Sequence, residues 1–466
     1  MTRSPLRRAL LSLASLSLVS LTPAAPFASL GAQAPEAIPA RYRDVANRII
    51  AAAEADSTGA WDRIAELSDR FGHRLSGSRA LEQAIEWTAA TMTADGLANV
   101  RRERVMVPHW VRGAESLELV APRRQLLPML GLGGSIATPQ EGITAEVMVV
   151  ASFEELAQRA TEAKGRIVLY DAEWRDYGYN GAFRRQGAIA AAKAGAVASL
   201  ARSAGPYGMR TPHTGNMSYD STVKKIPHAS VTAEDAMMIR RMIGRGEKVR
   251  VTLKMSARTL PDAESHNVMG ELRGREKPAE IVVMGGHIDS WDVGTGAMDD
   301  AGGVVVAWEA VRLLKRLGLT PRRTIRVVGW TNEENGGRGG AAYRDMHRQE
   351  THQLAIESDG GVFSPKGFGF TGSPAARAII EAIGGLLAPI GAGRIEASGG
   401  GADIGPIMAT GVPGMGLNVD DTRYFWYHHT EADTPDKLDR AEVRRVVAAM
   451  AVMAYIAADI EQGLPR

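Results

Sequence analysis

The sequence predicts an α/β protein, with a mostly parallel, mixed sheet flanked by helices and a small β-rich module inserted into it. From Glu280 onwards, strand-like segments alternate with helix-like segments, which is typical of a parallel sheet covered on both faces. Between residues 126 and 257, short strand candidates follow one another with a single clear helix. The 466 residues are too many for one typical domain and are sufficient for two.

Residues 1–34 are predicted to be an export signal. Basic residues precede the apolar stretch Ala9–Leu21, which is too short to span a bilayer comfortably as a permanent helix. Ala32-Gln33-Ala34 fits a cleavage pattern, but Pro35 would hinder cleavage there, so the cleavage site stays open. We expect an exported protein, periplasmic or secreted, with no membrane contact in its mature form.

Residues 35–125 are predicted to form the first part of the main domain, and residues 126–257 the inserted module. In the first part, Ala52–Leu67 and Ala80–Thr93 have helical spacing, and Val100–Val107 and Leu117–Val120 are strand candidates. In the module, the predicted helix is Gly187–Ala194, and the strand candidates are Ile143–Val150, Gly165–Tyr170, Val197–Leu200, His228–Val231 and Lys248–Leu253.

Residues 258–466 are predicted to form the second part of the main domain. Its predicted strands are Ile281–Gly285, Thr324–Trp330, Leu354–Glu357 and Gly414–Val419. Its predicted helices are Gly303–Leu317, Gly339–His347, Ala375–Leu387 and Arg440–Ile460. In a sheet of this kind, ligands bind at the carboxyl ends of the parallel strands.

Composition excludes several classes of function. Residues 1–34 hold three of the 55 basic residues and no acid, so 52 basic residues remain against 53 acidic ones. A near-neutral mature chain argues against a nucleic-acid partner or a polybasic membrane contact. The absence of cysteine excludes disulfides, iron–sulfur clusters, thiolate metal sites and cysteine nucleophiles.

Acids and histidines follow the predicted strands of the second part. They are His287 and Asp289, Asp299, Glu333 and Glu334, Asp359, and His429. Taken singly, each has an ordinary explanation, such as helix capping or a solvated surface pair. Together at one sheet edge, so many acids would repel one another or take up protons unless cations were present.

A pair of divalent metal ions removes that repulsion. Histidine and carboxylate ligands without cysteine suit zinc in a hydrolytic site. In two-metal sites the ions lie roughly 3.5–4 Å apart and share a bridging carboxylate. The residues alone therefore predict a two-zinc centre at the strand ends.

These motifs resemble the signature of the M28 family of co-catalytic zinc peptidases. The matching segments are His287-x-Asp289, Gly-Ala-Met-Asp299-Asp300-Ala-Gly-Gly, Glu333-Glu334, Ser358-Asp359 and His429-Thr-x-x-Asp433-Thr. The likeness also includes Gly72–Gly113 and Pro212–Gly215, and it covers nearly the whole mature chain. It implies that the inserted module is a protease-associated domain.

The resemblance implies a role for each residue. His287 and Asp359 share one zinc ion, His429 and Glu334 share the other, and Asp299 bridges them. Glu333 is the general base, and Asp289 orients His287 as an outer carboxylate. A cis bond between Asp299 and Asp300 is also implied. Met298 and Gly302 depart from the family's usual Asn and Ser, and neither position is a ligand.

The implied activity is hydrolysis of small peptides, namely dipeptides with both termini free. Glu333 would take a proton from a zinc-activated water and deliver it to the leaving amine. An aminopeptidase is the alternative within the same chemistry, and a peptidase-like binding protein without activity is the alternative outside it. The sequence leaves open whether the inserted module gates the site or bridges a homodimer.

Overall fold

The structure, a computed structural model, describes residues 35–57, 59–206 and 208–466. The predicted export signal, residues 1–34, lies outside the described residues. Within those residues, every helix is too short or too polar to cross a membrane.

The strands of the described residues form two separate sheets. In chain order they are β1 Ala98–Val111, β2 Glu115–Ala121, β3 Gln125–Leu127, β4 Met129–Gly131, β5 Ile143–Val150, β6 Ile167–Tyr170, β7 Ala198–Arg202, β8 His228–Val231, β9 Arg250–Met255, β10 Arg258–Leu272, β11 Lys277–His287, β12 Arg323–Trp330, β13 Thr351–Glu357, β14 Pro365–Thr371, β15 Arg394–Glu396 and β16 Gly414–Val419.

Helices connect and cover the strands. In the same part of the chain they are α1 Ala37–Glu54, α2 Gly59–Phe71, α3 Arg79–Ala94, α4 Phe153–Gln158, α5 Ala160–Ala163, α6 Tyr177–Lys193, α7 Ala233–Gly244, α8 Gly302–Arg316, α9 Arg338–His347, α10 Pro374–Gly384, α11 Gly405–Met408, α12 Tyr424–Tyr427 and α13 Arg440–Asp459.

The first sheet has the strand order β1-β10-β12-β11-β13-β16-β14-β15. Its four central strands, β12, β11, β13 and β16, run parallel to one another, whereas β10 and β14 join them antiparallel. This mixed sheet flanked by helices confirms the predicted α/β architecture. The carboxyl ends of the four parallel strands lie side by side at one edge.

Both faces of the first sheet are buried, and β11 shows why. Val282 and Met284 pack into a core shared with α8 and α13, while Ile281 and Val283 point to the opposite face, towards α9. The continuous apolar run of this strand is typical of a parallel strand covered on both sides. Packing on both faces holds β11 in place in the sheet, and His287 is the last residue of this strand.

The second sheet is formed by β2 to β9 in the order β3-β2-β9-β5-β6-β7-β8-β4. It begins at Glu115 rather than at residue 126, because β2 pairs antiparallel with β9. Leu117 and Leu119 of β2 are fully buried in the core of this sheet. We call residues 115–255 the second module, and the described residues outside it, which contain the first sheet, the first domain. The identity of the second module as a protease-associated domain stays a prediction.

Helix α6 of the second module begins at Tyr177 instead of at Gly187. The Asp176 side chain caps it by accepting a hydrogen bond from Tyr179 N at 2.8 Å. Gly178 and Gly181 in the first turns weaken the helical pattern of the sequence. The longer helix places Arg184 near the sheet edge of the first domain, as described below.

Candidate metal centre

The structure brings the five predicted ligands together at the carboxyl edge of the first sheet. His287, Asp299, Glu334 and His429 are buried, and Asp359 is partly exposed. They come from different segments of the chain: the end of β11, the turn before α8, and the loops after β12, β13 and β16. Convergence at this edge is the expected consequence of parallel strands ending side by side.

One group of donor atoms forms around His287. Its Nε2 lies 3.2 Å from Oδ1 of Asp299 and 3.2 Å from Oδ1 of Asp359. These are three atoms that a single cation can contact at once.

A second group forms around His429. Its Nε2 lies 3.1 Å from Oε2 of Glu334 and 3.4 Å from Oδ2 of Asp299. Asp299 therefore presents one oxygen to each histidine. Its buried Oδ2 has no hydrogen-bond partner among the described residues, as suits an atom meant for a cation.

Backbone carbonyls fix the orientation of both histidine rings. Nδ1 of His287 donates to the carbonyl of Asp289 at 3.0 Å, and Nδ1 of His429 donates to the carbonyl of Thr214 at 3.2 Å. A ring that donates from Nδ1 keeps the lone pair of Nε2 for a metal. Both rings thus present the correct atom to the cluster.

Asp289 acts differently from the expectation. Its carboxylate lies 3.7 Å from Nδ1 of His287, beyond hydrogen-bond distance, and the bond goes to its backbone carbonyl instead. The carboxylate accepts the backbone N–H groups of Glu333 at 3.1 Å and Glu334 at 3.4 Å. Asp289 therefore orients His287 through its main chain and the Glu333-Glu334 pair through its side chain.

The bridging segment is held from two sides. Asp433 accepts the N–H groups of Met298 at 2.7 Å and of Asp299 at 3.1 Å. Asp300 accepts the N–H of His287 at 3.0 Å. The Asp299–Asp300 peptide bond is cis, which confirms the prediction.

A buried arginine that the sequence analysis missed fixes the loop after His287. Arg74 donates to the carbonyls of Ile288, Thr295 and Gly296 at 2.8–2.9 Å. It is fully buried and its charge faces the carboxylates of the site. An arginine at residue 74 has no sequence signal for this role, because the three carbonyls of that loop lie more than two hundred residues away in the chain.

The electrostatics of the cluster favour cations. Burial, and then neighbouring carboxylates, raise the pKa of Glu333 to about 8 and that of Asp433 to about 7. Burial also raises the pKa of Glu334 well above its usual value, with Asp299 as the next cause. Bound divalent ions would reverse these shifts. Burial lowers the pKa of His429, which keeps the ring neutral as a metal ligand must be.

His428 lies beside the cluster but does not replace His429. The two rings stack with centroids 3.6 Å apart. Nε2 of His428 lies 3.5 Å from Oδ2 of Asp299, and no ion-pair distance joins it to Glu334 within the described chain. The motif His429-Thr-x-x-Asp433-Thr and the geometry therefore both favour His429 as the ligand.

A cavity of about 430 Å³ opens above the cluster. Asp299, Glu333, Glu334, Asp359 and His429 line it from the first domain. Tyr177, Arg184 and Asn216 line it from the second module. Sequence reasoning missed these three residues, because none of them belongs to a segment to which the resemblance gives a role. The volume of the cavity lies within the roughly 300–1,000 Å³ range of small-molecule sites.

The chain is similar to known peptidases. Residues 267–454 match the model of Peptidase family M28. Carboxypeptidase Q of Rattus norvegicus is 47% identical over 431 residues, which cover 92% of this chain and 91% of the relative. Carboxypeptidase Q of Homo sapiens is 46% identical, over 87% of this chain and 86% of the relative.

A solved structure supports the same conclusion. The Peptidase M28 precursor from Shewanella amazonensis SB2B superimposes with a TM-score of 0.88 and 34% identity, over 92% of this chain and 99% of that chain. Matching motifs, cluster geometry and similarity over nearly the whole length agree. The chain therefore belongs to peptidase family M28, and it is a zinc metallopeptidase.

Proposed function

We propose that this metallopeptidase uses two zinc ions and is an exported exopeptidase that hydrolyses dipeptides with both termini free. His287 and Asp359 would hold one ion, and Glu334 and His429 the other. Asp299 would bridge them. The observation that carries the two-ion proposal is Asp299 itself, whose two oxygens face two different histidines.

Zinc, when bound, lowers the pKa of a coordinated water towards neutrality and polarises a carbonyl group. Glu333 lines the cavity next to the ligand Glu334, and its backbone is fixed by Asp289 at 3.1 Å. We assign Glu333 as the group that accepts a proton at its carboxylate and returns it to the leaving amine. General bases of this kind contribute about 10²–10⁴-fold to the rate.

Arg184 supports recognition of a free carboxyl terminus. It is buried and lines the cavity, where it donates to the hydroxyl of Tyr177 at 2.7 Å and to the carbonyl of Thr214 at 3.3 Å. Nε of Arg184 has no hydrogen-bond partner, and no carboxylate in the described chain forms an ion pair with it. A buried guanidinium whose partners in the described chain are all uncharged is unfavourable, so the cavity favours an anionic group at this position.

Other observations favour a short peptide with both ends free. The exposed carboxylate of Asp421 also lines the cavity and suits an ammonium group. The second module contributes Tyr177, Arg184 and Asn216 to the cavity wall. The name carboxypeptidase Q of the relatives agrees with a role for the carboxyl terminus. An aminopeptidase stays the alternative, since the relative YwaD of Bacillus subtilis, 27% identical, is named for that activity.

Blocked substrates distinguish these activities. The measurement compares kcat/KM for one dipeptide that is free, N-acetylated, C-amidated or doubly blocked. We expect each block to reduce kcat/KM by about ten- to a hundredfold, since losing a charge-assisted hydrogen bond costs roughly 1.5–3 kcal/mol. Sensitivity to acetylation alone would favour an aminopeptidase, and sensitivity to amidation alone a carboxypeptidase for longer chains. Equal rates on all four would contradict recognition of the termini.

The same comparison tests Arg184. In Arg184→Met, we expect kcat/KM for the free dipeptide to fall to about the value for its amide, so that the ratio between the two substrates approaches one. The ratio is the readout because Nη1 of Arg184 also lies 3.3 Å from Nδ1 of His429, so that both rates can fall together. Arg185→Met is the matched control, because Arg185 is the next residue of α6 and does not line the cavity. A variant that still discriminates against the amide as the unmodified enzyme does would show that Arg184 does not bind the carboxylate.

Two further assignments belong to the proposal. Residues 1–34 would direct export to the periplasm or the medium, and sequencing the amino terminus of the exported protein tests this. The second module would be a protease-associated domain. Its helix α6 and the loop near Asn216 already contribute to the cavity wall, as expected of a module that shapes the active site.

A further inference from the structure

His429 is a residue of the first domain, yet the second module fixes its conformation. Thr214 N donates to the carbonyl of His429 at 2.9 Å, and Nδ1 of His429 donates to the carbonyl of Thr214 at 3.2 Å. One residue of the module thus holds the histidine at two points. His429 has φ of +61°, which non-glycine residues seldom adopt and which persists only where the surroundings impose it.

Thr214 is anchored in turn. Its Oγ1 donates to the carbonyl of Gly131, in β4, at 2.9 Å. Nη2 of Arg112 donates to the same Oγ1 at 3.1 Å. The loop that holds His429 is therefore tied to the edge of the second sheet and to a guanidinium.

Arg112 connects this loop to the first domain. It follows β1 directly, at the crossover into the second sheet, and its Nε donates to Oδ2 of Asp292 at 2.9 Å. Both side chains are largely buried, with 10% and 14% exposure, which strengthens the pair relative to a surface ion pair. Asp292 lies in the loop after His287, next to Trp291. The backbone N–H of Trp291 donates to Oε1 of Glu334 at 3.1 Å.

Trp291 closes the junction between the two parts. Its indole ring lies against Gly133 of the second module so closely that a Cβ there would come within 2.0 Å of the ring. The centroids of the Trp291 and His429 rings are 5.7 Å apart. Close packing makes this junction a rigid support for the His429–Glu334 pair.

The donor atoms around His287 are positioned without the second module. His287 makes its hydrogen bonds to Asp289, Asp299, Asp300 and Asp359, all within the first domain. No hydrogen bond within the described chain joins His287 or Asp359 to the second module. The two groups therefore differ in what positions them.

We propose that Arg112 and Thr214 are positioning residues for one of the two metal ions, the ion held by His429 and Glu334. This inference rests on the proposed two-ion site. The Arg112–Asp292 pair locks the Thr214 loop, and the loop holds His429 with its Nε2 towards the cluster. Removing the Arg112–Asp292 pair weakens the binding of this ion and leaves the binding of the ion at His287 and Asp359 unchanged.

Binding of zinc to single-site backgrounds tests the proposal without relying on activity. Asp359→Asn leaves only the His429–Glu334 group intact, and Glu334→Gln leaves only the His287–Asp359 group. Arg112→Met is introduced into each, and the zinc dissociation constant is measured by competition with a chelator. We expect about 10–100-fold weaker binding in the Asp359→Asn background, as for loss of other outer contacts of metal ligands. Binding in the Glu334→Gln background should not change.

Two controls separate positioning from a general loss of structure. Thr214→Val removes Oγ1 without changing the size of the side chain and should reproduce the selective effect. Arg159→Met removes an arginine that pairs with Glu155 and Glu162 at the surface of the same module, and it should leave both constants unchanged.

The outcomes distinguish the inference from the proposed function. An unmodified protein that binds one zinc ion per chain or fewer overturns the two-ion site itself. An unmodified protein that binds two ions, with Arg112→Met and Thr214→Val binding zinc normally in both backgrounds, overturns only the inference. Equal weakening in both backgrounds also overturns it, because a merely structural role affects the whole edge of the sheet.

Discussion

Glu333→Gln is expected to remove nearly all turnover, by about 10²–10⁴-fold in kcat, while both metal ions stay bound. Glutamine has the size of glutamate and cannot accept the proton. Among the described residues, no hydrogen bond to the Glu333 side chain positions a ligand. The backbone N–H of Glu333, which donates to Asp289 at 3.1 Å, is unchanged by the substitution. The measurement is kcat on a free dipeptide together with the zinc content of the same sample.

The neighbouring residue is the matched control. Glu334→Gln changes a carboxylate whose Oε2 lies 3.1 Å from Nε2 of His429, so it should lower the zinc content as well as kcat. Normal kcat in Glu333→Gln would show that another group is the base. Loss of zinc from Glu333→Gln would show that Glu333 is a ligand.

Asp299→Asn is expected to have the broadest effect on the metal centre. Asp299 presents Oδ1 to the His287 group and Oδ2 to the His429 group. An amide has one oxygen and no charge, so it cannot bridge two cations. We expect weaker binding of both ions, by more than the about 10–100-fold typical of an outer contact, and loss of activity at ordinary zinc concentrations. Equilibrium dialysis against zinc measures this directly.

Asp421→Asn provides the comparison for this substitution. Asp421 also lines the cavity but is exposed and belongs to neither donor group. Its substitution should leave zinc binding intact. If Asp299→Asn kept two tightly bound ions, the bridging assignment would be wrong.

The sequence predicted which residues meet at the sheet edge where those residues follow strands; their roles as ligands stay a prediction. His287 ends a buried strand, and Glu334 and Asp359 lie in the loops that follow two others. The alternation of these strands with helices predicts that their carboxyl ends meet at one edge. His429 lies farther from its strand, β16, and there the family motif, not periodicity, favoured it over His428. The 3.1 Å distance to Glu334 gives the physical reason for that preference.

The sequence did not predict elements with a weak hydrophobic pattern or contacts between residues that lie far apart in the chain. Strand β10, Arg258–Leu272, was missed because its first half is exposed and charged, without a buried face to give alternation. Arg184 and Thr214 meet His429 across more than two hundred residues, and no local pattern encodes such contacts. Asp289 was predicted to orient His287 with its carboxylate. In the structure that carboxylate accepts hydrogen bonds from the backbone N–H groups of Glu333 and Glu334, and the main-chain carbonyl of Asp289 accepts the one from His287.

The most direct test of the account is the zinc content of the unmodified protein. Elemental analysis after purification in the presence of zinc, followed by dialysis, should find two ions per chain. It should find none after chelation, with activity returning when zinc is restored. A content that stays at one ion per chain or below, in a fully active protein, would contradict the two-ion centre on which the proposed mechanism rests.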